Sequence, residues 1–461
     1  MNPFTWRDGQ LHADDVPVEA IAEAVGTPTY VYSATAIRAN YARLHGLFAP
    51  LGAKLQYAIK ASPNLHVCRL LRSMGAGMDV VSGGELERAW LAGTPMSEIV
   101  FAGVGKAEEE VRAALAGKYS PIREVAGSHG APDPVGRGPV GLFNVESESE
   151  LGRLSKIASE LGETARFCLR VNPNVDPHTH EYTTTGKEEN KFGIDADKIV
   201  EIVERWSGRP GLEFRGLHVH IGSPVPQVEP YAEAIAVVLG LIDELAARGH
   251  RVAVLNLGGG WPIDYTEGSV PPLEDYAARI VPLLAERAAA GLQVLLEPGR
   301  SILGNSGMLL ARVQHVKKGR AKNFVICDGG MHVLLRPALY RAFHFAWPVH
   351  WDGPPPRWVE ESDLPGLERC DLVGPICETG DFLARGRLLP PMAQDDLVAV
   401  FSAGAYGISM ASNYNDHGRP AEVLVDGTKL LRINARQRLA TIFETERAAV
   451  ELPIGARTVP A

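Results

Sequence analysis

Lys60 closes the run Leu55-Gln56-Tyr57-Ala58-Ile59-Lys60, whose composition predicts a β-strand, and a helix start at Ser62-Pro63-Asn64 follows at once. Strand alternation sets Lys60 on the side of Ala58 and Gln56, opposite Leu55, Tyr57 and Ile59. At the C-terminal end of a parallel strand such an amine faces the crevice where ligands bind, and an amine there can condense with a carbonyl to form a Schiff base. A single lysine is more often a solvated strand end, so the residues at equivalent points along the chain decide its meaning. They are polar: Asp79 and Ser82, Asn144 and Glu146, Arg170 and Asn172, His220, then Gly258-Gly259-Gly260, then Glu297 with Gly299-Arg300. Glycines let backbone N–H groups approach an anion closely.

The elements that must position these residues are eight short apolar runs, 55–60, 78–81, 99–103, 141–145, 166–171, 214–221, 252–257 and 292–297, most followed by a stretch of helical period such as Tyr231 to Arg248. Eight strand-helix units in series predict an α/β fold, a (β/α)8 TIM-like barrel over residues 36–302, in preference to a doubly wound open sheet. From 303 onwards the rhythm changes to Val-, Ile- and Leu-rich runs punctuated by Gly and Pro, at 308–316, 324–327, 369–373, 396–401 and 421–425. This predicts a second, mainly β domain of residues 303–461, completed by residues 1–35 through a strand at Thr29-Tyr30-Val31-Tyr32. Two segments read as long loops, Tyr119 to Pro139 and Trp347 to Pro365.

In this order along a barrel, the glycine triplet follows strand seven and Gly299-Arg300 follows strand eight, where many barrels hold a phosphate. A phosphate site facing a strand-end lysine indicates pyridoxal 5'-phosphate, with Glu297 placed to hold the pyridine nitrogen protonated and make the ring an electron sink. His218 and His220 on one strand face also occur in metal hydrolases, but no further ligand set accompanies them, and no metal is expected. The net charge of −9 with interspersed signs points away from nucleic acid and anionic membranes. No apolar stretch is long enough to span a bilayer, the first residues lack a signal-peptide core, and the five cysteines form no disulfide-dense pattern. The expectation is a cytoplasmic protein with reduced thiols.

The chain resembles, over nearly its whole length, the fold-type III, alanine-racemase-like barrel decarboxylases, the diaminopimelate decarboxylases in particular. The motifs that carry this are Tyr57-Ala58-Ile59-Lys60-Ala61, Asp79-Val80-Val81-Ser82-Gly83-Gly84-Glu85, Asn190-Lys191-Phe192-Gly193-Ile194, His218-Val219-His220-Ile221-Gly222-Ser223, Leu257-Gly258-Gly259-Gly260, Glu297-Pro298-Gly299-Arg300, Arg336-Pro337-Ala338-Leu339-Tyr340, Gly374-Pro375-Ile376-Cys377-Glu378-Thr379-Gly380-Asp381 and Gly404-Ala405-Tyr406-Gly407. The resemblance implies that Lys60 forms the Schiff base, that His220 stacks on the cofactor ring and that Glu297 meets its nitrogen, with Asp79 among the cofactor-binding residues. It implies a phosphate held by Ser223, Gly258, Gly259, Gly260 and Gly299-Arg300, with Tyr406 closing the cofactor site. Arg300, Arg336 and Tyr340 would bind the substrate's distal carboxylate, and Cys377 and Glu378 would reach the site of a neighbouring subunit in a homodimer.

The implied reaction is decarboxylation of meso-2,6-diaminopimelate to L-lysine and carbon dioxide, the proton coming from Lys60 or Cys377. A sibling decarboxylase acting on another diamino acid or on a siderophore- or polyamine-related carboxylated amine, and a catalytically silent cofactor-binding regulator, are the alternatives. The sequence departs from the family pattern at Cys327-Asp328-Gly329-Gly330-Met331-His332-Val333, where Gly329 stands for an alanine-like residue and His332 and Val333 stand for asparagine and aspartate. The loop at 119–139 is longer, and the segment from Arg341 to Asp352 more aromatic, than the family pattern leads one to expect.

Overall fold

A computed structural model describes residues 3–117, 138–177, 179, 185, 186, 191–354 and 356–446. The loop expected at 119–139 lies outside these apart from Gly138 and Pro139, and Asn190 and Pro355 lie outside them as well.

Eight parallel strands close on themselves: Lys54–Ala58, Gly77–Val80, Ile99–Phe101, Leu142–Val145, Ala165–Asn172, Leu212–Val219, Val254–Asn256 and Gln293–Leu296. Closure is complete because the fourth strand pairs with the fifth (Phe143 with Phe167) and the eighth returns to the first (Leu295 with Lys54). Helices follow in the expected rhythm, and serines start two of them. Ser82 Oγ accepts from Glu85 N at 3.2 Å, while Glu85 Oε2 accepts from Val81 N at 2.8 Å, a reciprocal cap on the helix Gly83–Leu91. Ser147 Oγ likewise accepts from Glu150 N at the start of Glu148–Leu161. Since Ser82 is the cap, Asp79 is released from the ordinary helix-capping role that its position allowed.

Side-chain parity inside the barrel explains how a polar mouth sits on an apolar plug. Val100, Leu142, Cys168, Val254 and Leu295 form a small buried cluster separate from the main core. Alternation puts Asn144, Arg170, Asn256 and Glu297, each two residues further on, on the same inner face one layer higher. The intervening Phe143, Leu169, Leu255 and Leu296 belong to the main core that packs beneath the helices. A cavity of about 380 Å³ opens below the plug, at the N-terminal ends of the strands, lined by Lys54, Gln56, Gly77, Glu98, Arg166 and Arg215 among others. It is at the opposite end of the strands from Lys60.

The first strand ends at Ala58, two residues short of the sequence expectation. Ile59, Lys60 and Ala61 form a single 3-10 turn, and Asn64 caps the helix Leu65–Ser73 through Oδ1 to His66 N. The last expected strand likewise stops at Leu296, one residue before Glu297. Strand pairing ends where the chain turns toward the mouth, so both reactive candidates project from the turn and not from the ladder.

Most of the remaining strands build a second sheet in the order Phe382–Leu389, Glu368–Val373, Asn323–Cys327, Gly307–Lys318, Thr29–Ser33, Ala421–Asp426, Lys429–Asn434, with Leu397–Val400 branching from the long strand Gly307–Lys318 and Ala346–Pro348 pairing with that branch. Phe4–Arg7, Gln10–Ala13 and Val16–Pro17 form a small sheet of their own, and Ile194–Asp195 adds to the barrel sheet beside Ala165–Asn172. Thr29–Ser33, rich in aromatic and β-branched residues, is buried throughout. It runs antiparallel to Gly307–Leu310 and parallel to Ala421–Val425, so this strand of the N-terminal segment lies inside the sheet. The loop expected at 347–365 is corrected at its start: Trp347 and Pro348 are strand residues paired with Ala399 and Val398, and Trp347 is fully buried. Phe345 stacks on Trp347 and on Trp358, and Trp358 packs on Phe401, which accounts for the aromatic character of this region. His332 and Val333 are buried in the same domain, His332 against the ring of His417 and Val333 accepting Tyr30 Oη through its carbonyl at 2.6 Å. The departures from the family pattern there serve packing. No helix among the described residues is long and apolar enough to cross a membrane.

Candidate active site

Lys60 Nζ donates to Asp79 Oδ2 at 2.6 Å, an ion pair formed between the turn after the first strand and the interior face of the second. Asp79 is wholly buried, and its Oδ1 has no hydrogen-bond partner. Burial opposes the charge on Lys60, but the carboxylates of Asp79 and Glu297 outweigh it and raise the amine above the ordinary lysine range. Burial and the nearby charge of Glu297 push Asp79 up, with Lys60 pulling the other way.

Glu297 is held as an anion in the polar layer. Its Oε1 accepts from Asn144 Nδ2 at 2.9 Å and from Asn256 Nδ2 at 2.6 Å, and its Oε2 lies 3.5 Å from His218 Nε2. Burial alone would raise its pKa, yet His218 and Lys60 bring it below the usual carboxylate range. The two carboxamide donors favour the same ionised form. Asn256 also accepts Gly258 N through Oδ1 at 2.9 Å, so one side chain orients both the carboxylate and the start of the glycine turn.

That turn is tightly packed. Gly258 and Gly260 have φ of +65° and +98°, and a Cβ on Gly260 would stand 2.4 Å from the carbonyl oxygen of Gly222. The amide of Gly259 donates to His220 Nδ1 at 3.2 Å, which leaves the imidazole proton on Nε2. Burial, with Arg170 and Lys60 nearby, depresses His220 far below the ordinary histidine range, so its ring is neutral. Because Gly258 N and Gly259 N are bonded within the chain, Gly260 N is the amide of the triplet free to meet an anion among the described residues.

Arg300 extends this site toward the β domain. Its Nη2 donates to Ser223 Oγ at 3.2 Å, its Nη1 to Tyr265 Oη at 2.7 Å, and its guanidinium lies 4.7 Å from the ring centroid of Tyr406. Tyr406 in turn donates its amide to the carbonyl of Ala61 at 2.7 Å, beside Lys60. Arg336, at the start of the helix Arg336–Tyr340, donates Nη1 to the same Tyr265 Oη at 2.9 Å and lies 6.0 Å from the ring of Tyr340. Lys60, Asp79, His220, Ser223, the glycine triplet, Glu297, Gly299-Arg300, Arg336, Tyr340 and Tyr406 are thus linked around one mouth.

Cys377 and Glu378 stand apart on an exposed turn. Glu378 Oε2 accepts from Tyr414 Oη at 2.9 Å and Cys377 N donates to Asn415 Oδ1 at 3.3 Å. Asp381 staples the turn, accepting Ile376 N and Met331 N at 2.6 Å each. None of these described contacts reaches Lys60, Glu297 or Arg336. Sequence reasoning missed Asn256 and Tyr265. Strand parity could have found Asn256, two residues after Val254 and two before Gly258, whereas Tyr265 lies in irregular chain and carries no periodic signal.

Residues 34–304 match the family described as pyridoxal-dependent decarboxylase, pyridoxal binding domain. A diaminopimelate decarboxylase from Pseudomonas aeruginosa is 43% identical over 446 residues, 97% of this chain and 99% of its own. Two solved structures, a diaminopimelate decarboxylase from M. jannaschii in complex with L-lysine and one from Helicobacter pylori complexed with L-lysine, are each 33% identical. They superpose with TM-scores of 0.84 and 0.81, covering 97% and 93% of this chain and 98% and 99% of theirs. The side chains here fit a pyridoxal phosphate: an amine for its aldehyde, a buried anion for its nitrogen, a neutral imidazole for its face and an orphaned carboxylate oxygen on Asp79.

Proposed function

The chain belongs to the pyridoxal-dependent diaminopimelate decarboxylases, and from that membership we propose how its own residues release carbon dioxide from meso-diaminopimelate to leave L-lysine. Pyridoxal phosphate, when bound, supplies the electron sink that accepts the pair left by the breaking bond between carbon and carboxylate. Lys60 Nζ would hold the cofactor through its aldehyde and, when not so engaged, keeps a proton beside Asp79. Glu297, kept ionised between Asn144 and Asn256, holds the proton of the ring nitrogen. His220, a neutral imidazole, would cover the ring of the bound cofactor without adding charge there. Gly260 N and Ser223 Oγ, with Arg300 beside them, take the phosphate.

The single observation that carries the choice of substrate is the pair of buried guanidiniums, Arg300 and Arg336, converging beside the lysine turn. They suit a distal carboxylate, which arginine pairs bidentately. Four of the five cysteines are buried and Cys377 alone is exposed, with Glu378 next to it. We assign both to the site of a second copy, Cys377 near the reacting carbon, where it or Lys60 delivers the proton, and Glu378 meeting the distal amine, so that the working unit is a homodimer, which we place in the cytoplasm.

Carbon dioxide release from meso-diaminopimelate, measured beside ornithine, lysine and arginine, tests this. Release from diaminopimelate alone is expected, and preference for a substrate without a distal carboxylate would overturn it. Arg336→Ala should weaken substrate capture by roughly 2 to 5 kcal/mol, the cost of a buried carboxylate left unpaired.

A further inference from the structure

Arg300 follows the last barrel strand and Arg336 opens a helix of the β domain, yet both are only 6% exposed and no carboxylate hydrogen-bonds either one among the described residues. Two desolvated cations this close repel, and besides its burial Arg336 feels the charge of Arg300. What they share is one phenol oxygen. Tyr265 Oη accepts Nη1 of Arg300 at 2.7 Å and Nη1 of Arg336 at 2.9 Å, while the edge of its ring meets His344 at 5.5 Å between centroids. The Nε atoms of both arginines are buried and have no hydrogen-bond partner.

We propose that Tyr265 is a positioning residue that fixes the spacing of the two guanidiniums across the domain junction, and so makes the subsite selective for a carboxylate; this rests on the reading of Arg300 and Arg336 given above. The phenol oxygen pins each guanidinium at one corner. Arg300 has a second anchor in Ser223, whereas Arg336 has no other hydrogen bond from its side chain among the described residues, so its placement depends most on Tyr265. With one corner of each guanidinium fixed, the remaining N–H donors are held for a carboxylate, whose two oxygens suit the planar fork of arginine. The rings of Tyr340 and Tyr406 stand beside the pair as well, 6.0 Å from Arg336 and 4.7 Å from Arg300.

Tyr265→Phe keeps the ring and its contact with His344 and removes the oxygen alone. The test uses the holoenzyme and measures kcat and KM for meso-diaminopimelate together with inhibition by L-lysine and by 1,5-diaminopentane. L-Lysine keeps the distal carboxylate, and the diamine has the same chain without it. KM and the L-lysine inhibition constant should rise about tenfold or more, as expected for lost charge-assisted hydrogen bonds, with kcat changing less than about threefold. Inhibition by the diamine should stay as it was. Equal weakening of both amines, or no change in either, would overturn the proposal. If the unaltered protein itself fails to prefer L-lysine over the diamine, the fault lies with the reading of the two arginines and not with Tyr265. Cofactor absorbance at the normal intensity identifies folded variant protein.

Discussion

Lys60 and Asp79 stand 2.6 Å apart, the ammonium on one carboxylate oxygen while the other has no partner. An amine must lose its proton to attack an aldehyde, and Asp79 together with Glu297 holds that proton on. In Asp79→Asn the raised pKa falls, so the pH at which the cofactor-free protein captures pyridoxal phosphate should move to lower values. Stopped-flow absorbance across pH reads this directly, and an unchanged profile would show that Asp79 does not govern the amine. Borohydride reduction followed by peptide mapping should place the adduct on Lys60 in both proteins.

Glu297 owes its charge to a cage of donors, so two substitutions should separate charge from position. Glu297→Gln should lower kcat by about a hundredfold or more while leaving cofactor occupancy near normal, because what is lost is an interaction that strengthens as the bond breaks. Asn256→Ala removes the 2.6 Å donor and also frees Gly258 N, and its cost of about 1–3 kcal/mol should be divided between rate and cofactor affinity. Equal rates in Glu297→Gln and the unaltered enzyme would assign the ring nitrogen to another group.

The exposed turn of Cys377 and Glu378 predicts complementation between inactive chains. Lys60→Ala and Glu378→Ala proteins, mixed and allowed to exchange subunits, should recover up to about a quarter of full activity, since random pairing gives half heterodimers, each with one intact site of two. Absence of recovery after exchange has been verified by mass would remove the shared-site arrangement.

His332 predicts a pH effect on stability. Burial, and then His417, hold its pKa down to about 4 against an ordinary 6.5. The folded chain therefore resists a proton that the unfolded chain accepts, so His332 costs nothing above about pH 6.5 and destabilises increasingly as pH falls toward 4. Urea midpoints of the unaltered protein and His332→Asn should differ most near pH 4, with about 1–3 kcal/mol of the loss removed in the variant. Parallel midpoint curves from pH 7 to 4 would show that His332 titrates freely.

Much of this architecture was legible because strands and helices impose different periods. All eight barrel runs, and five runs of the β domain, appear where apolar residues cluster between Gly, Pro and polar breaks. Boundaries were less legible: nothing in Leu55–Lys60 shows that hydrogen bonding stops at Ala58, because that depends on where the neighbouring strands end. The strands Phe382–Leu389 and Lys429–Asn434 were passed over, since their half-exposed, arginine- and lysine-bearing residues hide the alternation. Within the site, Lys60 and Glu297 could be read from position alone. Tyr265 could not, because its meaning comes from two arginines 35 and 71 residues away.

Thr29–Ser33 is buried at every residue and hydrogen-bonded on both edges, by Gly307–Leu310 and by Ala421–Val425. On a ribosome this strand emerges first, while its two neighbours follow only after the whole barrel, and then most of the second domain, has been made. At roughly 5–20 residues per second its wait lasts on the order of tens of seconds, with aromatic side chains and both hydrogen-bonding edges uncovered. Chain order thus makes the N-terminal segment the part most in need of shelter during synthesis, and a circular permutation that moved it behind the last sheet strand would let its own sheet assemble in one continuous stretch.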